Sequence, residues 1–320
     1  MAYAKLIPRF TPGANVDEIL RDSSYRFTIP SGKANNYRFA QLDDYTQLRR
    51  GRFPHHDGLS LKLYARVSSD SIPGTWGFGL WNDPFGLSFG FGGNPFRLPA
   101  LPNAIWFFGA SEENYLSFKD VTTGGRVGQS PYRDHTAPTV AANGFIAQTF
   151  RSPKFHPLLF PAGIALPFSR QMARQMLGKV IGEDGVALSV DVTQWHRYSL
   201  EWRKTRAIFE VDKVRVFESP VSPHSPLGLV IWIDNQYAAW HPHGKIGFGV
   251  LENTEPAWLE IEELILDRKI MISLGEARKR VCRASVRCSA HSFSSIFSNF
   301  VKDAKNSFTK EASSERSGQL

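Results

Sequence analysis

Hydrophobic and polar residues alternate with a period of two along much of the chain. The clearest case is Leu59–Val67, where Leu59, Leu61, Leu63, Ala65 and Val67 fall on one side and Ser60, Lys62, Tyr64 and Arg66 on the other. That period is the pleat of a half-solvated strand. Similar strand patterns recur at residues 144–150, 186–192, 198–202, 206–211, 214–218, 228–234, 245–251 and 258–266. One stretch has a helical period instead: Ser169 stands as an N-cap before residues 170–179, with Met172, Met176 and Leu177 on one face and Arg170 and Arg174 pointing away. The pattern predicts an all-β, two-sheet antiparallel sandwich with a short helical insert at about residues 154–182.

The most apolar region is residues 74–109. It holds Trp76, Trp81 and Trp106 among glycines and phenylalanines, and its only charges are Asp83 and Arg97. Thr75, Gly77, Gly79 and Trp81 alternate with Trp76, Phe78 and Leu80, so the glycines share one face and let something approach it closely. Asn82-Asp83-Pro84 ends this strand, because Pro84 has no N–H for a ladder and Asn and Asp favour turns.

The succession GTWGFGLWND at residues 74–83, the apolar strand 103–109, WHRYSLEW at 195–202 with IFEVD at 208–212, and LEIEELIL at 259–266 resembles the concanavalin A-like lectin/glucanase superfamily. Within it, the likeness is greatest to laminarinase-type β-glucanases. The resemblance covers roughly residues 59–267, and it implies a jelly roll whose concave face binds a glycan. In those enzymes the strand after the G-x-W strand reads E-x-D-x-x-E or E-x-D-x-E and carries the nucleophile and the acid/base on one face. A retaining glycosidase needs its two carboxyls about 5–5.5 Å apart. Here the corresponding residues, Asn103 to Gly109, contain no carboxylate. The expectation is therefore a jelly roll that binds without catalysing, with no catalytic residue assigned.

Sugar rings stack their C–H faces on indoles and offer hydroxyls to amides, carboxylates and imidazoles, so such a site combines an apolar floor with a few placed polar groups. Trp81, Asn82, Asp83, Trp106, Asp234, Asn235, Gln236, Trp240 and His241 fit that description and are the expected ligand-binding residues. Trp76, Trp202, Trp232 and Trp258 read as core. Phe85, Phe89, Phe91, Phe96, Phe107 and Phe108 make the same region greasy enough for a hydrophobic small molecule. A divergent glycoside hydrolase with acids relocated to Glu112 or Asp234 is the alternative reading. Glu260 and Glu262 alternate on one strand face, but that strand matches the family's closing strand rather than its catalytic one. His55-His56 and His241-Pro242-His243 lack further ligands at useful spacing, so no metal or cofactor is expected and these histidines read as exposed.

Composition divides the chain. From Arg268 onward there are eleven Lys/Arg and four Asp/Glu, against 27 and 26 before it. The expected organisation is a loop-rich N-terminal part over residues 1–58, the jelly roll over 59–267, and a basic amphipathic tail over 268–320. In the tail, the basic residues Arg278 to Arg287 precede Phe293, Phe297 and Phe300 at helical spacing. That arrangement suggests peripheral membrane contact; no nucleic-acid module accompanies it. Cys282 and Cys288 both lie in the tail and read as free thiols. No secretory signal or membrane-spanning run is apparent, and the expected location is cytoplasmic.

Overall fold

The computed structural model describes residues 5–20, 23–84, 97–98, 100–118, 143–154, 158 and 167–268. The expectations for Phe85, Phe89, Phe91 and Phe96, for most of the insert before Pro167, and for the basic tail lie outside the described residues.

The strands are β1 Ile7–Phe10, β2 Asn15–Leu20, β3 Ser24–Ile29, β4 Phe39–Asp43, β5 Leu59–Val67, β6 Thr75–Trp81, β7 Ala104–Ala110 and β8 Gly144–Arg151. Helix α1 Arg170–Val180 follows, then β9 Gly182–Ala187, β10 His196–Arg203, β11 Arg206–Val211, β12 Val214–Ser219 and β13 Gly228–Asp234. The chain continues through β14 Gln236–Trp240, β15 Ile246–Val250 and β16 Ala257–Arg268. Two seven-stranded sheets result, in the orders β1-β4-β13-β6-β7-β8-β9 and β12-β11-β10-β5-β16-β3-β2. Every pairing within them is antiparallel, which gives the two-sheet jelly-roll sandwich that the alternation predicts.

The core lies between the sheets. The alternate residues Trp76, Phe78 and Leu80 of β6, Ile105 and Phe107 of β7, and Leu229, Ile231 and Ile233 of β13 meet Leu61, Leu63, Tyr198, Leu200, Trp202 and Phe209 from the second sheet. Trp202 is fully buried and its indole N–H donates to the Pro223 carbonyl, so the one polar atom of the largest core residue is satisfied. β16 holds its inward parity despite its length through a bulge. Glu263 has φ 51° and the register slips between Glu262 and Ile265, which carries Leu264 and Leu266 back to the core side after Leu259 and Ile261.

Three features differ from the sequence expectation. The N-terminal part, read as loop-rich with a possible short strand at Ser24 to Pro30, contains four strands: it supplies β1 and β4 to the first sheet and β2 and β3, the strand at Ser24–Ile29, to the second. Its strands are short, and all four lie at or next to a sheet edge, which blurs the alternation. Residues 246–250 do not close the sandwich but pair with β14 in a separate hairpin. Helix α1 has the expected cap, with the Ser169 hydroxyl accepting from Met172 N–H, but it is rotated. Ala173 and Arg174 are buried while Met172 is half exposed. The guanidinium of Arg174 donates to the carbonyls of Trp240 and Ser117, which satisfies a cation where a thioether would leave two carbonyls bare.

Glu260 points to the outer face of the second sheet, where it accepts hydrogen bonds from Arg26 (3.0 Å) and Arg66 (2.8 Å). Those guanidiniums lie over Trp258 at 4.7 and 5.5 Å, and Arg66 also lies over Trp195 at 4.8 Å. Trp258 is thus half buried in a cation–π ladder rather than in the core, and Glu260 of the E-x-E pair serves cross-strand pairing.

Candidate functional site

The outer face of the first sheet carries a second apolar cluster. Register places Trp232 of β13 beside Gly77 of β6, and Gly77 beside Phe108 of β7. Gly79 sits between Val230 and Trp106 one row along. The glycines are required there because their neighbours occupy the space of a side chain. A Cβ on Gly77 would come within 2.9 Å of the Trp232 ring, and one on Gly79 within 2.6 Å of Trp106 Cα. What approaches the glycine face is therefore protein: Trp81 stacks on Trp232 at 6.1 Å and 5°, and Trp106 lies 6.0 Å from Trp81 and 5.8 Å from Trp232. Trp106 and Trp232 are only 5% and 7% exposed, whereas Trp81 is half buried at the end of its strand. Trp232, read from sequence as core, is buried as expected, in the cluster on this face. Its signal was parity: Asp234, Trp232 and Val230 alternate with Ile233, Ile231 and Leu229.

The indole nitrogens lead into polar groups on both sides of the cluster. Trp106 Nε1 donates to Gln148 Oε1 (3.2 Å), Gln148 Nε2 donates to Glu183 Oε1 (3.1 Å), and Glu183 Oε2 accepts from Phe118 N–H (2.7 Å). Sequence reasoning missed Gln148 and Glu183, since neither belongs to a motif and both are recognisable only once β8 and β9 are paired to β7. Trp232 Nε1 donates to Thr75 Oγ1 (3.0 Å), whose hydroxyl donates to Asp234 Oδ1 (2.8 Å). Asp234 also accepts from the Thr75 and Gln236 N–H groups and from the Tyr37 hydroxyl.

Burial raises the Asp234 pKa from 3.8 to about 7, against the opposing pull of those donors. Its sign for stability follows from the folded carboxyl holding its proton more tightly than the unfolded one. The contribution is present below about pH 4 and is lost as pH rises to about 7. Replacing Asp234 with Asn should flatten the pH dependence of the urea midpoint across that window. An unchanged slope would mean that Asp234 titrates at its ordinary value.

The nine expected ligand residues do not form one cluster. Trp81 and Trp106 meet, and Asp234 joins them through Thr75 and Trp232. Asn82 instead clamps the lead-in to β7, donating to Leu101 O (2.9 Å) and accepting from Asn103 N–H (3.0 Å). Asp83, at φ 50° and 3% exposed, is ion-paired with Arg97, and burial still raises its pKa. Asn235 is fully buried, accepts from Arg38 N–H and donates to Asn36 O and Leu251 O, so its amide holds three loops together. Gln236 is half buried at the start of β14. Trp240 and His241 lie at a lateral end of the cluster, tied to Trp106 by the ring contacts of Phe150 and Phe118. Trp240 Nε1 is buried with no acceptor among the described residues. His241 stacks on His243 and meets the Tyr115 ring at a tilt, and burial and its cationic neighbours lower its pKa. Asn82 and Asp234 end opposite ends of β6, about 20 Å apart at the rise of a seven-residue strand. His55, read as an exposed loop residue, is instead buried and paired with Asp44, whose other oxygen accepts from Leu229 N–H.

The carboxylates beside the aromatic face are engaged. Glu183 and Asp83 are paired as above, and Asp43 accepts from Gln41 and from the Tyr45 and Thr46 N–H groups. Among the described residues, no group of three or more His, Cys, Asp or Glu side chains is placed to hold a metal ion.

No family model and no curated protein matches the sequence. Among solved structures, the chain is similar to the LamA catalytic domain of Zobellia galactanivorans, at 14% identity over 76% of each chain with a TM-score of 0.38. It is also similar to the catalytic domain of an endo-1,3-β-glucanase (laminarinase) from Thermotoga petrophila RKU-1, at 11% identity over 81% of each chain with a TM-score of 0.38. A legume lectin-like domain from Entamoeba histolytica shows 9% identity over 82% of this chain and 89% of that one, with a TM-score of 0.39.

Proposed function

We propose that the outer face of the first sheet is a non-catalytic platform for a carbohydrate, entered from its Trp81 end. The observation that carries this reading is the partly buried Trp81 indole at the end of its strand, held parallel to Trp232 and against Trp106. A rigid indole backed by two others offers a sugar ring a flat apolar surface with little side-chain entropy left to lose. The sequence likeness to the lectin/glucanase superfamily supports a glycan over a flat aromatic drug-like ligand. Gln236, Trp240 and His241 form a second, lateral contact, where the buried Trp240 N–H has no acceptor among the described residues.

Absence of turnover is supported by β7. Its outward residues Ala104, Trp106 and Phe108 stand where paired carboxyls would be needed, and the nearby acids already hold internal partners. Among the described residues, a hydrolase reading is favoured by Asp234, whose raised pKa suits a general acid. Its hydrogen-bond partners are hydroxyls and backbone N–H groups, with no second carboxylate among them.

Calorimetric titration of β-linked gluco-oligosaccharides into the full chain tests the proposal. Saturable binding is expected, weakened about tenfold or more by Trp81→Ala. Binding that is indifferent to Trp81→Ala, or no binding to any glycan, sinks it.

A further inference from the structure

Helix α1 and the β14–β15 hairpin, whose β14 residues Gln236 and Trp240 belong to the lateral contact above, carry a second surface at β15 and the first turn of α1. A Cβ on Gly244, in the hairpin turn, would lie 2.8 Å from Gln171 N, so the first turn of α1 is seated on the hairpin tip. On β15, Ile246 and Phe248 point to the face opposite Tyr237, whose ring fills the space over Gly247 and Gly249. Together with Phe168 and Met172 they leave four large apolar side chains in water, at 86%, 50%, 41% and 52% exposure for Phe168, Met172, Ile246 and Phe248. Pro167, Arg170, Ile246 and Phe248 line an open groove of about 500 Å³ between the helix and the hairpin. An exposed apolar patch of this kind marks an interaction surface.

Charge identifies the kind of partner. Residues 167–181 and 236–251 carry Arg170, Arg174, Lys179 and Lys245, and no Asp or Glu. Arg170, Lys179 and Lys245 are exposed, and the first acids on either side of the hairpin segment are Asp234 and Glu252, at its base. Four apolar side chains flanked by three exposed cations match a surface that is greasy beneath and negative above.

We propose that this face docks on an anionic lipid bilayer, with Phe168, Met172, Ile246 and Phe248 entering the headgroup boundary and Arg170, Lys179 and Lys245 meeting lipid phosphates and carboxylates. A soft bilayer accommodates side chains that protrude, Phe168 above all, whereas an acidic protein partner needs a recess shaped to receive it.

The test uses the full chain carrying Phe248→Cys, with Cys282 and Cys288 replaced by Ser, labelled with an environment-sensitive dye. Vesicles of phosphatidylcholine with about 30% phosphatidylserine should shift the emission to the blue and shield the dye from iodide, and neutral vesicles should not. In the unlabelled chain, co-sedimentation with the same vesicles should fall about fivefold for each of Arg170→Gln and Lys245→Gln, and should weaken with salt. Co-sedimentation with an unshifted dye would assign binding to another part of the chain and overturn the proposal. So would no co-sedimentation, or a dye shift produced by an acidic amphipathic peptide but not by vesicles.

Discussion

Gly79→Val is expected to be the most destabilising single change on the aromatic face, lowering the unfolding free energy by about 3 kcal/mol or more. The position has an ordinary backbone conformation, so the effect is one of space. A Cβ there would lie 2.3 Å from the Ile105 carbonyl oxygen and 2.6 Å from Trp106 Cα and Cβ. Those are backbone and near-backbone atoms of β7, which cannot swing aside as the end of a flexible side chain can. Relief requires β6 and β7 to separate, and with them the Trp81–Trp106 contact. Gly51→Ala is the matched control, because a Cβ at Gly51 meets nothing within 4 Å. Urea denaturation should show a large fall in midpoint for Gly79→Val and little change for Gly51→Ala. Equal midpoints would mean that β6 and β7 are not packed this closely.

The second large effect is expected at Arg97. Its guanidinium is 8% exposed, pairs with buried Asp83 and donates to the carbonyls of Tyr45 (2.7 Å), Thr46 (2.9 Å) and Leu48 (2.6 Å). Arg97→Ala leaves a buried carboxylate uncompensated and three carbonyls without this donor, a loss of about 3–5 kcal/mol. The double variant Arg97→Met with Asp83→Asn removes the charge along with its partner and should recover much of that loss. Because Asp83 ends the strand that bears Trp81, the single variant should also weaken glycan binding. A cost under about 1 kcal/mol, the range of surface pairs, would show that the pair is solvated.

The strand framework was legible because a sandwich with one core imposes parity on its sequence. Leu59–Val67 and Tyr198–Trp202 alternate as they do because one side of each faces the other sheet. Parity fails where a sheet is apolar on both faces. In β6, β7 and β13 nearly every residue is hydrophobic or glycine, so alternation could not tell the inter-sheet core from the outer cluster, and burial of Trp232 was legible while its side of the sheet was not. The rotation of α1 escaped for a different reason. Hydrophobicity ranks Met172 above Arg174 for burial, but tertiary structure placed the Trp240 and Ser117 carbonyls where only a forked donor satisfies both.

The polar residues were harder still. Asn82, Asp83 and Asn235 have the composition of a sugar site, and the same side chains are what loops use to tie off their own backbones. Only the hydrogen-bond partners separate the two uses, and those partners lie as much as 199 residues away, as between Asn235 and Asn36. Conversely, Gln148 and Glu183 gave no sequence signal because they become neighbours of Trp106 only through the pairing of β7 with β8 and β8 with β9.

Binding of a glycan by the aromatic face and the absence of its cleavage, as proposed above, can be read together. The most direct measurement is one-dimensional proton NMR of a β-linked gluco-oligosaccharide incubated with the full chain, following line widths for binding and anomeric signals for hydrolysis in one sample. The account predicts broadened sugar resonances that sharpen in the Trp81→Ala variant, with the anomeric region unchanged over days. New reducing-end anomeric signals that appear with the wild-type chain and vanish with Asp234→Asn would contradict it and make Asp234 a catalytic acid.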